Sequence, residues 1–360
     1  MIYFALQQTM AGRASQRVYR IHFCEALPEL YSLNGEAEWT LPAKYDKMAQ
    51  MRRLIKTMVI LILAVLIYSI LPVVPLYLGK DVTMPTNDQI AEKLKANKGD
   101  TFSFIAFGDN HAGFIFDDSA FLKIIRRMNR EGRFRKFKID FAANLGDVAF
   151  MKGSRWDYRI YNRLRSKIKY PVISVMGNHD DARRGEHLFK EFLGERELSF
   201  VNRNSYFIVL DNRTTDLNEQ QCAWLEEELK KSQSYKHRFI FMHKQPISLY
   251  QQSWFRPELS KWSYRFMKMC EAYKVDIVFA GHEHMFREAS YGGVRYLMSG
   301  GAGMFIQIPE SEGGYLHYIV VRVYGDYVDY EVRKVFPPLW EYFTYYMWKE
   351  LFYSLKDIVF

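Results

Sequence analysis

Cysteine is scarce in this chain, with three in 360 residues: Cys24, Cys222 and Cys270. Three scattered thiols form neither a disulfide framework nor a thiolate cluster, so cross-links and a four-cysteine structural zinc site play no part in the fold. Internal repeats and low-complexity tracts are also lacking, which excludes an architecture of stacked copies. Sustained periodicity and site chemistry are missing from 1–47, which reads as a tail. Met48 and Met51 stand just before Arg52, Arg53 and Lys56, where an exported chain would start.

Charge is lacking altogether from 57 to 79. About 20 apolar residues cross a bilayer, so this run is long enough. A buried helix would carry a polar stripe, and a cleaved signal peptide would show a small-x-small site. The run has neither. The expected organisation is therefore a tail over 1–50, a transmembrane signal anchor over 51–79, a stalk over 80–100 and a domain over 101–335. Arg52, Arg53 and Lys56 precede the run and Lys80 alone follows closely, so the positive-inside rule places a single-pass protein's domain outside the cytoplasm.

At 49% hydrophobic residues and a mean hydropathy of -0.25, the chain suffices for one sizeable globular domain with appendages. Five apolar runs within it share one design. Run 102–107 passes into Gly108, Asp109, Asn110 and His111, and 141–145 into Gly146 and Asp147. Run 170–176 passes into Gly177, Asn178, His179 and Asp180, 238–242 into His243, and 275–280 into Gly281, His282, Glu283 and His284. Each reads as a buried strand ending in oxygen or imidazole donors, and catalytic groups of α/β folds gather at such ends. Mixed carboxylate, amide and imidazole donors suit Mn, Fe, Zn or similar divalent ions.

In this order the blocks D-x-H, G-D, G-N-H-D, H and G-H-x-H resemble the calcineurin-like metallophosphoesterases over about 101–325. The resemblance implies an α/β fold in which a two-layer β-sandwich is flanked by helices (α/β/β/α), here preceded by a transmembrane helix. It also implies two divalent metal ions at one rim. Carried over by position, Asp109, His111 and His284 would hold one ion and Asn178, His243 and His282 the other, with Asp147 bridging and His179 facing the phosphoester substrate. Two ions against two carboxylates leave positive charge for a phosphate. A water between them would ionise near pH 7 and attack phosphorus, while His179 protonates the leaving oxygen.

The chain departs from the family's pattern at Phe150. Many members have an aspartate there to orient the catalytic histidine, and the purple acid phosphatases have an iron-binding tyrosine. Asp180 or Asp181 is the expected substitute support. The rival readings are a nuclease and an inactive phosphoesterase-like scaffold; the complete ligand set argues against the scaffold.

A helix is expected at 87–96 within the stalk and amphipathic helices at 118–130, 155–167 and 216–229, the last resembling the family's Q-x-x-W-L helix. Tyr250, Trp254 and Arg256, shortly after His243, are a candidate substrate wall. Lysines and arginines crowd 123–138 and 155–169, which suggests a solvated basic face or contact with anionic membrane lipid, and less with nucleic acid. The C-terminal 336–360 reads as an amphipathic aromatic helix that lies in a membrane interface or packs on the domain.

Overall fold

The structure is a computed structural model that describes residues 43–131, 138–150, 153–181, 185–214, 216–246, 261–304, 306 and 308–335. It divides between Thr57 and Met58 into two units. Of the first, 43–57 are described, and they form the beginning of helix α1 (Ala43–Ile70). The rest of α1 and all other elements belong to the second unit.

In chain order α1 is followed by α2 (Val74–Leu78), α3 (Asn87–Lys95), β1 (Thr101–Phe107), α4 (Ile115–Glu131), β2 (Ile139–Asn144), α5 (Arg155–Arg165) and β3 (Val172–Ser174). Next come α6 (Gly185–Leu193), β4 (Leu198–Asn202), β5 (Ser205–Val209), α7 (Glu219–Ser232), β6 (His237–Phe241), α8 (Lys261–Ala272) and β7 (Ile277–Ala280). The hairpins β8 (Phe286–Tyr291) with β9 (Val294–Ser299) and β10 (His317–Tyr324) with β11 (Tyr327–Lys334) complete it.

Strand alternation builds the layers. Along β1, Phe102, Phe104 and Ala106 enter one core while Ile105 and Phe107 enter another, as the two-residue period of an extended chain requires. One sheet has the order β11-β10-β1-β2-β3, with β1, β2 and β3 parallel. The other runs β4-β5-β6-β7-β9-β8, with β5, β6, β7 and β9 parallel and an antiparallel strand at each edge.

Between the sheets lies a phenylalanine core. The Phe104 ring sits 5.2 Å from Phe141, 5.5 Å from Phe207 and 5.3 Å from Phe239. Each such ring, fully buried, contributes roughly 1.5–3 kcal/mol of apolar burial. On the outer faces, α4 and α5 cover the first sheet, and α7 and α8 cover the second with Leu225, Leu229, Phe266 and Cys270. The result is two sheets flanked by helices, with every β-to-loop exit of the parallel strands at one rim. Helix α7 starts later than its periodicity suggests, because Asn218 caps it by accepting from the Gln221 N–H at 2.9 Å.

Two expectations for the N-terminal third need correction. Run 57–79 is not one helix: α1 ends at Ile70, a turn carries Pro72, and α2 has proline in its first turn. The uncharged part of α1, 57–70, rises about 21 Å against a hydrocarbon core of about 30 Å. Among the described residues no helix is long and apolar enough to cross a membrane. Nor are residues 80–100 a spacer. Asn87 is fully buried and donates to Ser174 O at 2.8 Å and Glu195 O at 3.1 Å, and Ile90 and Leu94 of α3 join the inter-sheet core.

The basic face is also smaller than its composition suggests. Arg163 is buried and donates to Leu76 O at 2.7 Å and to Asp81 Oδ1 at 2.9 Å; Arg165 donates to Pro85 O at 3.0 Å. Arg155 pairs with Glu191 and Arg159 with Asp81. Arg159, Arg163 and Arg165 tie α2 and its flanking chain to α5 and Arg155 ties α5 to α6, while Arg126, Arg127, Arg130, Lys138, Lys167 and Lys169 stay exposed. Arg133, Arg135 and Lys136, the wall residues Tyr250, Trp254 and Arg256, and the C-terminal 336–360 lie outside the described residues.

Candidate metal centre

Eight expected side chains converge where the two sheets meet at that rim. The first sheet delivers Asp109 and His111 after β1, Asp147 after β2, and Asn178 and His179 after β3. The second delivers His243 after β6, and His282 and His284 after β7. Donor atoms of Asp109, His111 and His284 lie within 4.8 Å of one another, as do those of Asp147, His243 and His282. Asn178 joins the second group, its Oδ1 3.0 Å from His243 Nε2. Asp147 stands between the groups: its Oδ2 is 3.6 Å from His111 Nε2 and its Oδ1 3.3 Å from His243 Nε2.

The backbone reaches this arrangement by leaving its comfortable region. Asp109 (φ 63°), His111 (φ 48°), Asp147 (φ 50°) and His282 (φ 73°) are all left-handed, at a cost of roughly 1–3 kcal/mol each. Backbone hydrogen bonds hold them there: Asp109 N–H donates to Gly146 O at 3.0 Å and His111 N–H to Asp147 O at 3.1 Å. The Asp109 carboxylate accepts from His282 N–H at 3.0 Å. Gly177 is required for a different reason, close approach, since a Cβ there would stand 2.2 Å from Asp147 Oδ1.

The donor set fits divalent metal. His111 is fully buried, yet neither of its ring nitrogens has a hydrogen-bond partner among the described residues. That is a costly state for an imidazole, and a metal ion would relieve it. Burial pushes His282 and His284 down to about 3, which keeps their lone pairs available at neutral pH. Burial would raise Asp147, but the His243 and His111 imidazoles beside it outweigh that and hold its carboxyl well below the usual range. His243, despite its burial, is raised to about 9 by Asp147 and Asp109. Asp109 is raised by burial, with Asp147 adding to the effect.

The support of His179 is a correction to the sequence reading. Its Nδ1 lies 2.9 Å from the backbone oxygen of Phe150, so the position without an aspartate still orients the imidazole through its carbonyl. Asp180 does other work. Fully buried, it accepts from Gly177 N–H at 2.8 Å, Ala149 N–H at 2.9 Å and Val148 N–H at 3.3 Å. It thereby braces the loop of Asp147 against the loop of Asn178. Asp181 pairs instead with Arg213, 3.1 Å distant. A further contributor is Asn212, whose Oδ1 accepts from His243 N–H at 2.9 Å and Lys244 N–H at 3.1 Å. Its signal was present in the sequence, because the run 205–210 also ends in polar side chains, Asp211 and Asn212.

With this geometry in view, the family follows. The chain belongs to the calcineurin-like phosphoesterase family, whose model it matches over residues 102–286. No curated protein matches it. Among solved structures it is similar to a purple acid phosphatase from yellow lupin (Lupinus luteus) seeds, at 14% identity and a TM-score of 0.53 over 66% of this chain and 52% of that one. It is also similar to GAP50, the anchor in the inner membrane complex of Plasmodium, at 13% identity and a TM-score of 0.51 over 66% and 85%. The match thus spans about half the length of the lupin protein, and at these identities the likeness is one of fold.

Proposed function

We propose that this protein is a hydrolase of phosphate esters with a centre for two divalent ions. The observation that carries the reading is Asp147, whose two oxygens face separate donor groups, one around His111 and one around His243. Asp109, His111 and His284 would hold one ion, Asn178, His243 and His282 the other, and Asp147 both. When bound, such ions polarise phosphoryl oxygens and lower the pKa of a water toward about 7.

The remaining work falls to side chains of this protein. Burial keeps the imidazoles of His111, His282 and His284 neutral, and the backbone bonds to left-handed residues fix their directions in advance. The Phe150 carbonyl accepts from His179 Nδ1–H, which leaves Nε2 as the position that carries the transferable proton. His179 gives that proton to the leaving oxygen as the ester bond breaks. A panel of aryl phosphate mono- and diesters, nucleotides, nucleic acids and phospholipids, each with Mn, Fe, Zn or Mg, tests the activity. Turnover of any ester that disappears in Asp147→Asn supports it, and inertness toward the whole panel with every metal returns the chain to the scaffold reading.

We also propose that the domain is held at a membrane surface. Supporting this, α1 presents Leu54, Ile60, Leu61 and Ile67 at 58–65% exposure, and Arg52, Arg53 and Lys56 give it positive charge for anionic headgroups.

A further inference from the structure

We propose that Arg213 is a positioning residue that sets the spacing between Asn178 and His243, and with it the second half of the metal centre. Asn178 hangs from β3 in one sheet and His243 from β6 in the other. The apolar core aligns the sheets below, but at the rim the loops themselves must be held, and a shift of either loop changes the 3.0 Å separation of Asn178 Oδ1 and His243 Nε2.

Arg213 lies between those loops. It follows Asn212, which fixes the His243 backbone, and its Nη1 donates to the carboxylate of neighbouring Asp211. Towards the loop of Asn178, its Nε stands 3.1 Å from Asp181 Oδ2 in ion-pair contact, off the line of a hydrogen bond. Its Nη1 lies 3.2 Å from Met176 Sδ. Nη2 donates to Glu186 Oε2 at 3.2 Å, in the first turn of α6. Arg196 completes the ring, 2.7 Å from both Asp211 and Glu186.

Two guanidiniums therefore face three carboxylates, and the Arg213 side chain is only 11% exposed. That balance suits a clamp between loops better than a binding site for substrate phosphate, which needs cationic charge to spare. The fork of a guanidinium is required, because a lysine ammonium is a single point and cannot hold Asp211, Asp181 and Glu186 together.

The inference rests on the two-ion reading above, and one experiment separates them. Wild type, Arg213→Ala, Arg213→Lys and Asp181→Asn are titrated with Mn²⁺, following bound metal per chain and the electron paramagnetic signature of a coupled pair. Wild type binds two ions. Arg213→Ala weakens one of them by about 10- to 100-fold, the usual effect of losing an outer support, while the other keeps its affinity and the coupled signature disappears. Arg213→Lys recovers part of the loss. Asp181→Asn, at a 39% exposed carboxylate, weakens the same ion without removing the arginine, which covers the case in which Arg213→Ala does not fold. A purely structural salt bridge lowers the melting temperature and leaves the ratio of the two affinities unchanged, and that result overturns the proposal. A wild-type protein that binds a single ion overturns this inference and the two-ion reading together.

Discussion

Replacing His179 by alanine should separate chemistry from metal binding. Among the described residues the side chain makes one hydrogen bond, to Phe150 O at 2.9 Å, and that carbonyl belongs to a half-buried residue, so the stability loss is about 0.5–1.5 kcal/mol. Turnover should fall by roughly 10²–10⁴-fold, the ordinary contribution of a general acid, equivalent to about 3–5 kcal/mol of barrier. The loss should shrink for nitrophenyl esters, whose leaving group scarcely needs a proton. Metal per chain should stay at the wild-type value. Asp147→Asn, by contrast, removes a carboxylate facing both donor groups, and metal and turnover should fall together. Steady-state rates on two esters of different leaving-group basicity, with metal analysis of the same samples, decide it. The structure makes refutation a real outcome: the His179 ring is 4.5 Å from that of His111, and its donor atom lies within 4.8 Å of those of His111 and Asp147. If His179→Ala loses metal as Asp147→Asn does, His179 is a ligand and the acid must be sought elsewhere.

Phe104→Ala, at the centre of the inter-sheet core, should destabilise the domain by about 3–5 kcal/mol in denaturant titration; a cost under about 1 kcal/mol would mean that the sheets are held together elsewhere. Burial raises Asp118, which accepts from Tyr77 and Gly113, to about 8. The folded protein then binds a proton that the unfolded chain has released, so this contribution to stability is full below about pH 4 and is lost as pH rises to about 8. Asp118→Asn should therefore flatten the decline of melting temperature between pH 5 and 8, and equal slopes for both proteins would contradict the shift. Liposome flotation should find the full chain with lipid and a form lacking residues 1–71 in solution. The cut spares buried Val73 and Leu76, and continued flotation would assign attachment to another segment.

The arrangement of the site was legible in the sequence wherever a strand carries a donor side chain directly to the rim. Asp109, Asp147, Asn178, His243 and His282 each stand within a few residues of a buried strand's end, so the order of runs along the chain already places them on one rim. Support between loops was not legible, because it depends on which loops become neighbours in space. Asp180 and Asp181 follow His179 in the chain and are the candidates to orient it, yet the Asp180 carboxylate turns to the backbone of Val148 and Ala149 and Asp181 pairs with Arg213. Phe150 has no side-chain oxygen, but its carbonyl, which every residue has, takes that role. Run 57–79 failed differently. Its composition is that of a span, but Pro72 and Pro75 divide it, and Arg163 draws the α2 carbonyls into the domain.

The four left-handed residues bear on how the site assembles. Asp109, His111, Asp147 and His282 hold left-handed backbone, and hydrogen bonds within the fold offset its cost. The means are visible in the backbone bonds from Asp109 and His111 to the loop of Asp147, the bond from His282 N–H to the Asp109 carboxylate, and the three bonds to Asp180. Most of these join loops of the first sheet, and the His282 bond crosses between sheets, so the full set is complete only once the phenylalanine core has brought the sheets together. Metal binding should therefore follow folding, unlike in a zinc finger, whose fold waits for the ion. The metal-free protein should be folded, with a directed donor set in place. What metal must still displace is the proton on His243, held there by Asp147 and Asp109.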